Sequence, residues 1–249
     1  MQIFDFHTHP GMQPGFDVTM TPELFVSEMQ RAGVTGAAGS GLCYERIRPD
    51  TDFGAFMQEM NALSWSYHEQ FPDFFQAGIH ILGNHLETSM RELETYAAKG
   101  VRLVGELVPE LMGCKTLLCP GFLELFARCQ ELGMVVNIHR TTIAECEEVA
   151  KQFPHLSVVM AHPGYMPAYG EVLEAVKRHD NLFFDLAGTG ITAYGMLRYG
   201  IDKVGKDKIL FGSDFPLNEG SYVGAVLYEK LTDEEREAVL YRNAQRFFQ

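Results

Sequence analysis

Eight short apolar runs, each followed by a stretch of helical character, limit what this chain can fold into. The clearest runs lie at residues 101–108, 134–139 and 156–162 and carry few polar residues before their ends. Strands covered by helices on both faces read this way, as in a parallel sheet. Further strands are expected from Gln2 onward and over 74–82, 181–186 and 209–214. The run 34–42 is interrupted by Gly36, Gly39 and Gly41 and is read as a strand from its place in the alternation. Helices are expected over 21–32, 57–70, 87–99, 121–132, 142–153, 170–179 and 194–204, and from Thr232 to the C-terminus, with 43–56 a long loop. Thr21 and Pro22 suit a cap and a first helical position. Thr232 with Glu235 forms a capping-box pattern. No Pro/Ser-rich linker divides the chain. One (β/α)8 barrel, a single domain over 1–249, accounts for both the alternation and a length of 249 residues. The competing fold is an open doubly wound sheet, which lacks its Gly-x-Gly-x-x-Gly turn here.

The net charge of −13 comes from 33 acidic and 20 basic residues. Such a surface repels phosphate backbones, so a small molecule is a better expected partner than nucleic acid. No apolar run reaches the roughly 18 residues of a membrane span, and no basic-then-apolar leader precedes Gln2. A membrane is therefore not an expected partner, and nothing in the composition excludes a homo-oligomer. The five cysteines, Cys43, Cys114, Cys119, Cys129 and Cys146, are odd in number and form no Cys-x-x-Cys pair. Free thiols in a reducing cytoplasm are the expectation. Cys129 and Cys146 fall within helical patterns, as small apolar fillers.

In a barrel of this kind, reacting groups stand at the C-terminal ends of the strands. Those ends carry His7 and His9, His80, Glu106, His139, His162, Asp185 and Asp214. His7 and His9 are two apart, so in an extended chain both imidazoles point to one side. Neutral imidazole is the commonest metal ligand. A His-x-His pair alone is weak, but histidines and carboxylates recurring on separate strand ends are less readily an accident. Nitrogen and oxygen donors suit zinc, manganese, iron or nickel better than copper(I). Asp5 either orients a ligating histidine or, from its pleat parity with His7 and His9, lines the barrel.

The Asp5-Phe6-His7-Thr8-His9 opening, the histidines His139 and His162 ending two strands, and Asp214 ending the last resemble the ligand pattern of the metal-dependent amidohydrolase superfamily. Ala161-His162-Pro163-Gly164, Gly212-Ser213-Asp214-Phe215-Pro216 and the tail Asn243-Ala244-Gln245-Arg246-Phe247 look like its amidohydrolase-2 branch, so the resemblance spans nearly the whole chain. Gly105-Glu106 is similar to the Gly-Glu of TatD-like hydrolases, whose Glu bridges two metals. The resemblance implies one or two divalent metals, zinc first. His7, His9 and Asp214 would hold one, His139 and His162 a second, with Glu106 between them and Asp214 as the base. With a single metal, His162 becomes an acid/base group instead. Glu106 and Asp185 also have supporting roles open to them.

Arg46, Arg48 and Arg140 lie on loops expected to ring the pocket, where a guanidinium could clamp a carboxylate. Solvated loop arginines are the plainer alternative. His80 either contacts substrate or is a satisfied buried histidine. Tyr44, Tyr165, Tyr169 and Tyr222 either line the pocket or cover its rim. The leading function is a metal-dependent hydrolase of a small amide, ester or lactone. The alternatives are a one-metal decarboxylase, a TatD-like phosphodiesterase or nuclease, and a non-catalytic metal-binding barrel.

Overall fold

The computed structural model describes residues 1–140, 143–188, 193–218 and 220–249. Eight parallel strands pair in chain order: β1 (Phe4–Thr8), β2 (Gly36–Gly39), β3 (Phe75–Ile79), β4 (Leu103–Leu107), β5 (Val135–His139), β6 (Ser157–Ala161), β7 (Leu182–Asp185) and β8 (Ile209–Leu210). The last strand returns to the first. Phe6 N–H donates to Phe211 O at 2.9 Å, Asp214 N–H to His7 O at 2.9 Å and His9 N–H to Phe215 O at 2.8 Å, and these bonds close a (β/α)8 barrel.

The helices are α1 (Pro22–Arg31), α2 (Phe53–Gln70), α3 (Leu86–Ala98), α4 (Pro120–Glu131), α5 (Ile143–Gln152), α6 (Ala168–Arg178), α7 (Met196–Val204), α8 (Ser221–Tyr228), α9 (Asp233–Glu237) and α10 (Asn243–Gln245). Sequence signals set several boundaries. Thr21 Oγ1 accepts from Leu24 N–H at 3.2 Å, and the Thr232–Glu235 capping box forms in full. Asp52 Oδ1 accepts from Gly54 and Ala55 N–H, so α2 starts inside the stretch expected to be loop. The expected second strand shrinks to four residues. A side chain at Gly39 would meet Thr8 O at 1.9 Å, so only glycine lets β1 and β2 approach this closely. The helix α8 was not expected, and the C-terminal helix is interrupted by a π-helical turn over Ala238–Arg242. The expected helix start at Thr142 lies outside the described residues.

Two apolar layers hold the barrel. The larger lies between strands and helices, and includes Phe25, Tyr67, Phe75, Val104, Phe126 and Val172. The smaller fills the barrel floor, where Phe4, Phe6, Leu103, Val135, Val159 and Phe183 meet. The tail seals this floor: Phe247 packs 6.0 Å from Phe6 and 5.7 Å from Phe183, and Phe248 lies 5.4 Å from Phe4. Asn243 Nδ2 donates to Lys206 O and Ile209 O, fixing that tail to the start of β8. All five cysteines stand as free thiols, and Cys129 and Cys146 are buried fillers. Among the described residues no helix is long and apolar enough to cross a membrane.

Candidate metal centre

Two irregularities in the strands turn the key side chains inward. On β1 the pairing register shifts between Asp5 and Thr8, and on β4 between Val104 and Leu107. Phe4 and Phe6 face the interior, so strict alternation would send His7 outward. Leu103 also faces the interior, so strict alternation would send Glu106 outward. A bulge adds a residue and re-aims the side chains beyond it. His7 and Glu106 therefore both reach the barrel axis.

There His7 Nε2 lies 3.2 Å from His9 Nε2. Asp214 Oδ1 is 3.0 Å from His9 Nε2 and 3.6 Å from His7 Nε2, and Glu106 Oε2 is 3.5 Å from each. The far nitrogens are committed. His7 Nδ1 donates to Asp185 Oδ2 at 2.9 Å, and His9 Nδ1 to Ser40 O at 3.1 Å. Because a carbonyl only accepts, His9 Nδ1 carries a proton, and in the neutral ring its Nε2 keeps a lone pair. The Asp185 carboxylate sets the same tautomer on His7. Two lone pairs then face each other across 3.2 Å, beside a buried Asp214 Oδ1 that accepts no hydrogen bond among the described residues. Such an arrangement repels itself unless a positive charge sits between. Ligands at about 2.1 Å around a tetrahedral cation stand about 3.4 Å apart, so the spacing suits a divalent ion.

Glu106 faces two ways. Its Oε2 points to the His7–His9 pair, while its Oε1 accepts from His139 Nδ1 at 2.7 Å and lies 3.0 Å from His162 Nε2. His162 Nδ1 donates to Ala187 O at 3.1 Å, which leaves its Nε2 turned toward Glu106. Both His162 and Asp214 adopt left-handed backbone, with φ of 63° and 69°. Non-glycine residues held there cost on the order of 1–3 kcal/mol each, a strain found where function over-determines the backbone.

With no cation in the cluster, the surrounding carboxylates draw protons onto these imidazoles instead. Burial alone would lower His7, but the Asp185 and Glu106 carboxylates hold it well above its ordinary value. Burial likewise opposes protonated His9, yet Asp214 and Glu106 carry it up to about 9. Burial would raise Glu106, and the surrounding imidazoles instead keep it well below the usual carboxylate range.

Asp5 does not join the cluster. Its carboxylate lies on the outer side of β1, in a small cavity it shares with Met29 of α1, Ala32 just after that helix and Val223 of α8. Its Oδ1 accepts from His7 N–H at 3.2 Å and Ser213 N–H at 3.0 Å, tying together the segments that carry His7 and Asp214. Burial pushes this carboxyl up to about 7. The parity reading for Asp5 is corrected by the β1 bulge. His80 is buried, and its Nε2 donates to Gly41 O at 2.7 Å. Burial lowers it to about 4, which favours the neutral ring, and it does not line the cavity above the cluster.

A cavity of about 490 Å³ opens above the cluster, lined by His9, Glu106, His139, His162 and Asp214 together with loop residues. Of the tyrosines, Tyr44 lines it. Tyr169 is buried with its hydroxyl on Met196 O, Tyr222 bonds Gly188 O and Tyr165 is exposed. The arginines point elsewhere. Arg46 pairs with Glu59 at 2.7 Å, and Arg48 donates to Glu45 O and Ile47 O. Arg140 Nε donates to His162 O at 2.9 Å, and its side chain lines a separate cavity of about 770 Å³ between α5, α6 and α7. Asn137 was missed. Its amide donates to Asp185 Oδ2 at 2.9 Å, and its signal was a polar residue two before His139 in an apolar strand.

A family model described as amidohydrolase matches residues 4–249. No curated protein matches the chain in sequence. Solved structures share its architecture. A 5-carboxyvanillate decarboxylase from Sphingomonas paucimobilis is 15% identical with a TM-score of 0.74, covering 99% of this chain and 98% of its own. A 4-oxalomesaconate hydratase from Rhodopseudomonas palustris is 18% identical at a TM-score of 0.73, covering 99% and 95%. A dihydroxybenzoic acid decarboxylase from a Polaromonas species, holding manganese and 2-nitroresorcinol, is 14% identical at 0.77, covering 99% and 96%. At these identities the likeness is one of fold.

Proposed function

The chain belongs to the amidohydrolase family of enzymes, and on that premise we propose that it is a metal-dependent hydrolase of a small amide, ester or lactone. The observation that carries this is the division of Glu106, one oxygen toward His7 and His9 and the other toward His139 and His162. A carboxylate placed so is the natural bridge between two cations a few ångströms apart. His7, His9 and Asp214 would hold the first ion and His139 and His162 the second, zinc being the first choice and manganese, iron or nickel compatible with the donors. A divalent cation held there supplies Lewis acidity, polarising a carbonyl and acidifying water. The chain's own groups do the rest. Asp214, buried and facing the same point, takes the proton from the attacking water and returns it to the leaving group. Asp185 and Ser40 hold His7 and His9 in the tautomers that keep Nε2 unprotonated.

A second proposal is a one-metal decarboxylase in which His162 moves the proton. It is supported by the decarboxylases among the structures of the same fold. Metal analysis of fully reconstituted wild type and Glu106→Ala, with product analysis on neutral esters, lactones, amides and carboxylated aromatics, separates the two. The expected result is two metals per chain, about one in Glu106→Ala, and hydrolysis products. One metal in wild type, unaffected by Glu106→Ala, together with release of CO₂ from a carboxylated aromatic, would overturn the hydrolase in favour of the decarboxylase.

A further inference from the structure

The cavity above the cluster has a charge pattern that carbonyl chemistry does not require. Its walls are apolar: Met12, Leu42, Tyr44, Val108, Leu111 and Leu217. Its charged lining is acidic apart from the histidines, and consists of Glu106, Asp214 and Glu110. Glu106 and Asp214 belong to the cluster already described. Glu110 does not. It sits on the loop after β4, is exposed, and has neither hydrogen bond nor ion pair among the described residues.

No lysine or arginine lines the cavity among the described residues, and residues 141, 142, 189–192 and 219 include no basic side chain. The three loop arginines that could have balanced Glu110 are held by Glu59, by loop carbonyls and by His162 O. A substrate ending in a carboxylate would meet Glu110 with no lysine or arginine in the lining to offset the repulsion. One ending in a cation would meet a carboxylate without a partner and the ring of Tyr44, whose face attracts positive charge. The chain's net charge of −13 acts in the same direction at longer range.

We propose that this cavity selects molecules that join a neutral carbonyl head to an apolar body and a positively charged far end, an amine or guanidine, with Glu110 as the selecting residue. The carbonyl head rests on the hydrolase proposal; the charge preference rests on the cavity walls alone.

Three alkyl hydroxamates of equal length, ending in methyl, ammonium or carboxylate, separate these parts. The shared head takes the metal, and the tail reports the far end. Calorimetry on metal-loaded wild type, Glu110→Gln and Glu110→Lys gives the affinities, and a matched ester series gives kcat/KM. In wild type the ammonium tail should bind about 5-fold more tightly than the methyl tail, the scale of a partly exposed ion pair. That ratio should vanish in Glu110→Gln, and Glu110→Lys should reverse it in favour of the carboxylate tail. Equal affinities for the three tails, or an ordering that Glu110→Gln leaves in place, overturn the proposal. If the hydroxamates keep the ordering while no ester is hydrolysed, the hydrolase proposal falls and the selection stands. Hydroxamates that do not bind at all overturn both.

Discussion

Asp185 accepts four hydrogen bonds, from His7 Nδ1 and Asn137 Nδ2 on one oxygen and from His162 N–H and Ala187 N–H on the other. Burial alone would raise its carboxyl, but the charge on His7 and these donors hold it below its ordinary value. It is therefore a fixed anion behind the cluster, and it decides which nitrogen of His7 keeps a lone pair. Asp185→Asn has nearly the same shape and the wrong chemistry, because its NH₂ must face donors and its oxygen carries no full charge. Metal affinity should fall about 10–100-fold, as when the group orienting a ligating histidine is lost. Competition with a chelator, with the unfolding midpoint recorded alongside, measures this. Wild-type affinity in the variant would show that His7 is oriented by something else.

At the scale of elements, the strand ends were legible and the strand interiors were not. The positions of His139 and His162 after apolar runs told where those histidines would stand, because parallel strands place their C-terminal ends on one rim. The pairing of His7 with His9 could be read from spacing, yet the side on which Asp5 lies could not. A bulge leaves no mark in a period-two pattern, and both bulges fall beside the cluster. Gly105 was the visible trace of the second one. Its φ is +100°, and a side chain there would meet Asn137 O at 2.1 Å. Loop side chains such as Arg46 escaped the sequence for another reason: their partners, here Glu59, are set by tertiary packing. Gly105→Ala should cost at least about 2 kcal/mol, from left-handed backbone and a backbone clash together. It should also weaken binding of the proposed second metal, since Glu106 is the next residue. Denaturant midpoints and metal content check both, and a stable variant with full metal would mean that β4 can hold Glu106 inward without its bulge.

For the molecule as a whole, the barrel divides its two tasks between its ends. The floor is apolar and sealed by the tail, whereas the mouth gathers the buried histidines and carboxylates. A closed sheet permits this division, because the strands run as rigid struts from one end to the other and no edge is left to pair elsewhere. The family-like string at residues 243–247 thus belongs to stability. Asn243 ties the tail to β8, and Phe247 fills the floor between Phe6 and Phe183. Phe247→Ala tests the division directly. A fully buried phenylalanine loses about 3–5 kcal/mol on truncation to alanine, and the half-buried Phe247 should lose about 2 kcal/mol. For a domain of this size that is a fall of about 4–8 °C in Tm. Metal content and metal affinity at 25 °C should stay at wild-type values, because His7, His9 and Asp214 are positioned by β-strand pairing and by Asp5, Asp185 and Ser40. A loss of metal affinity in step with Tm would mean that floor and mouth are mechanically coupled, and that the tail contributes to the site as well as to the fold.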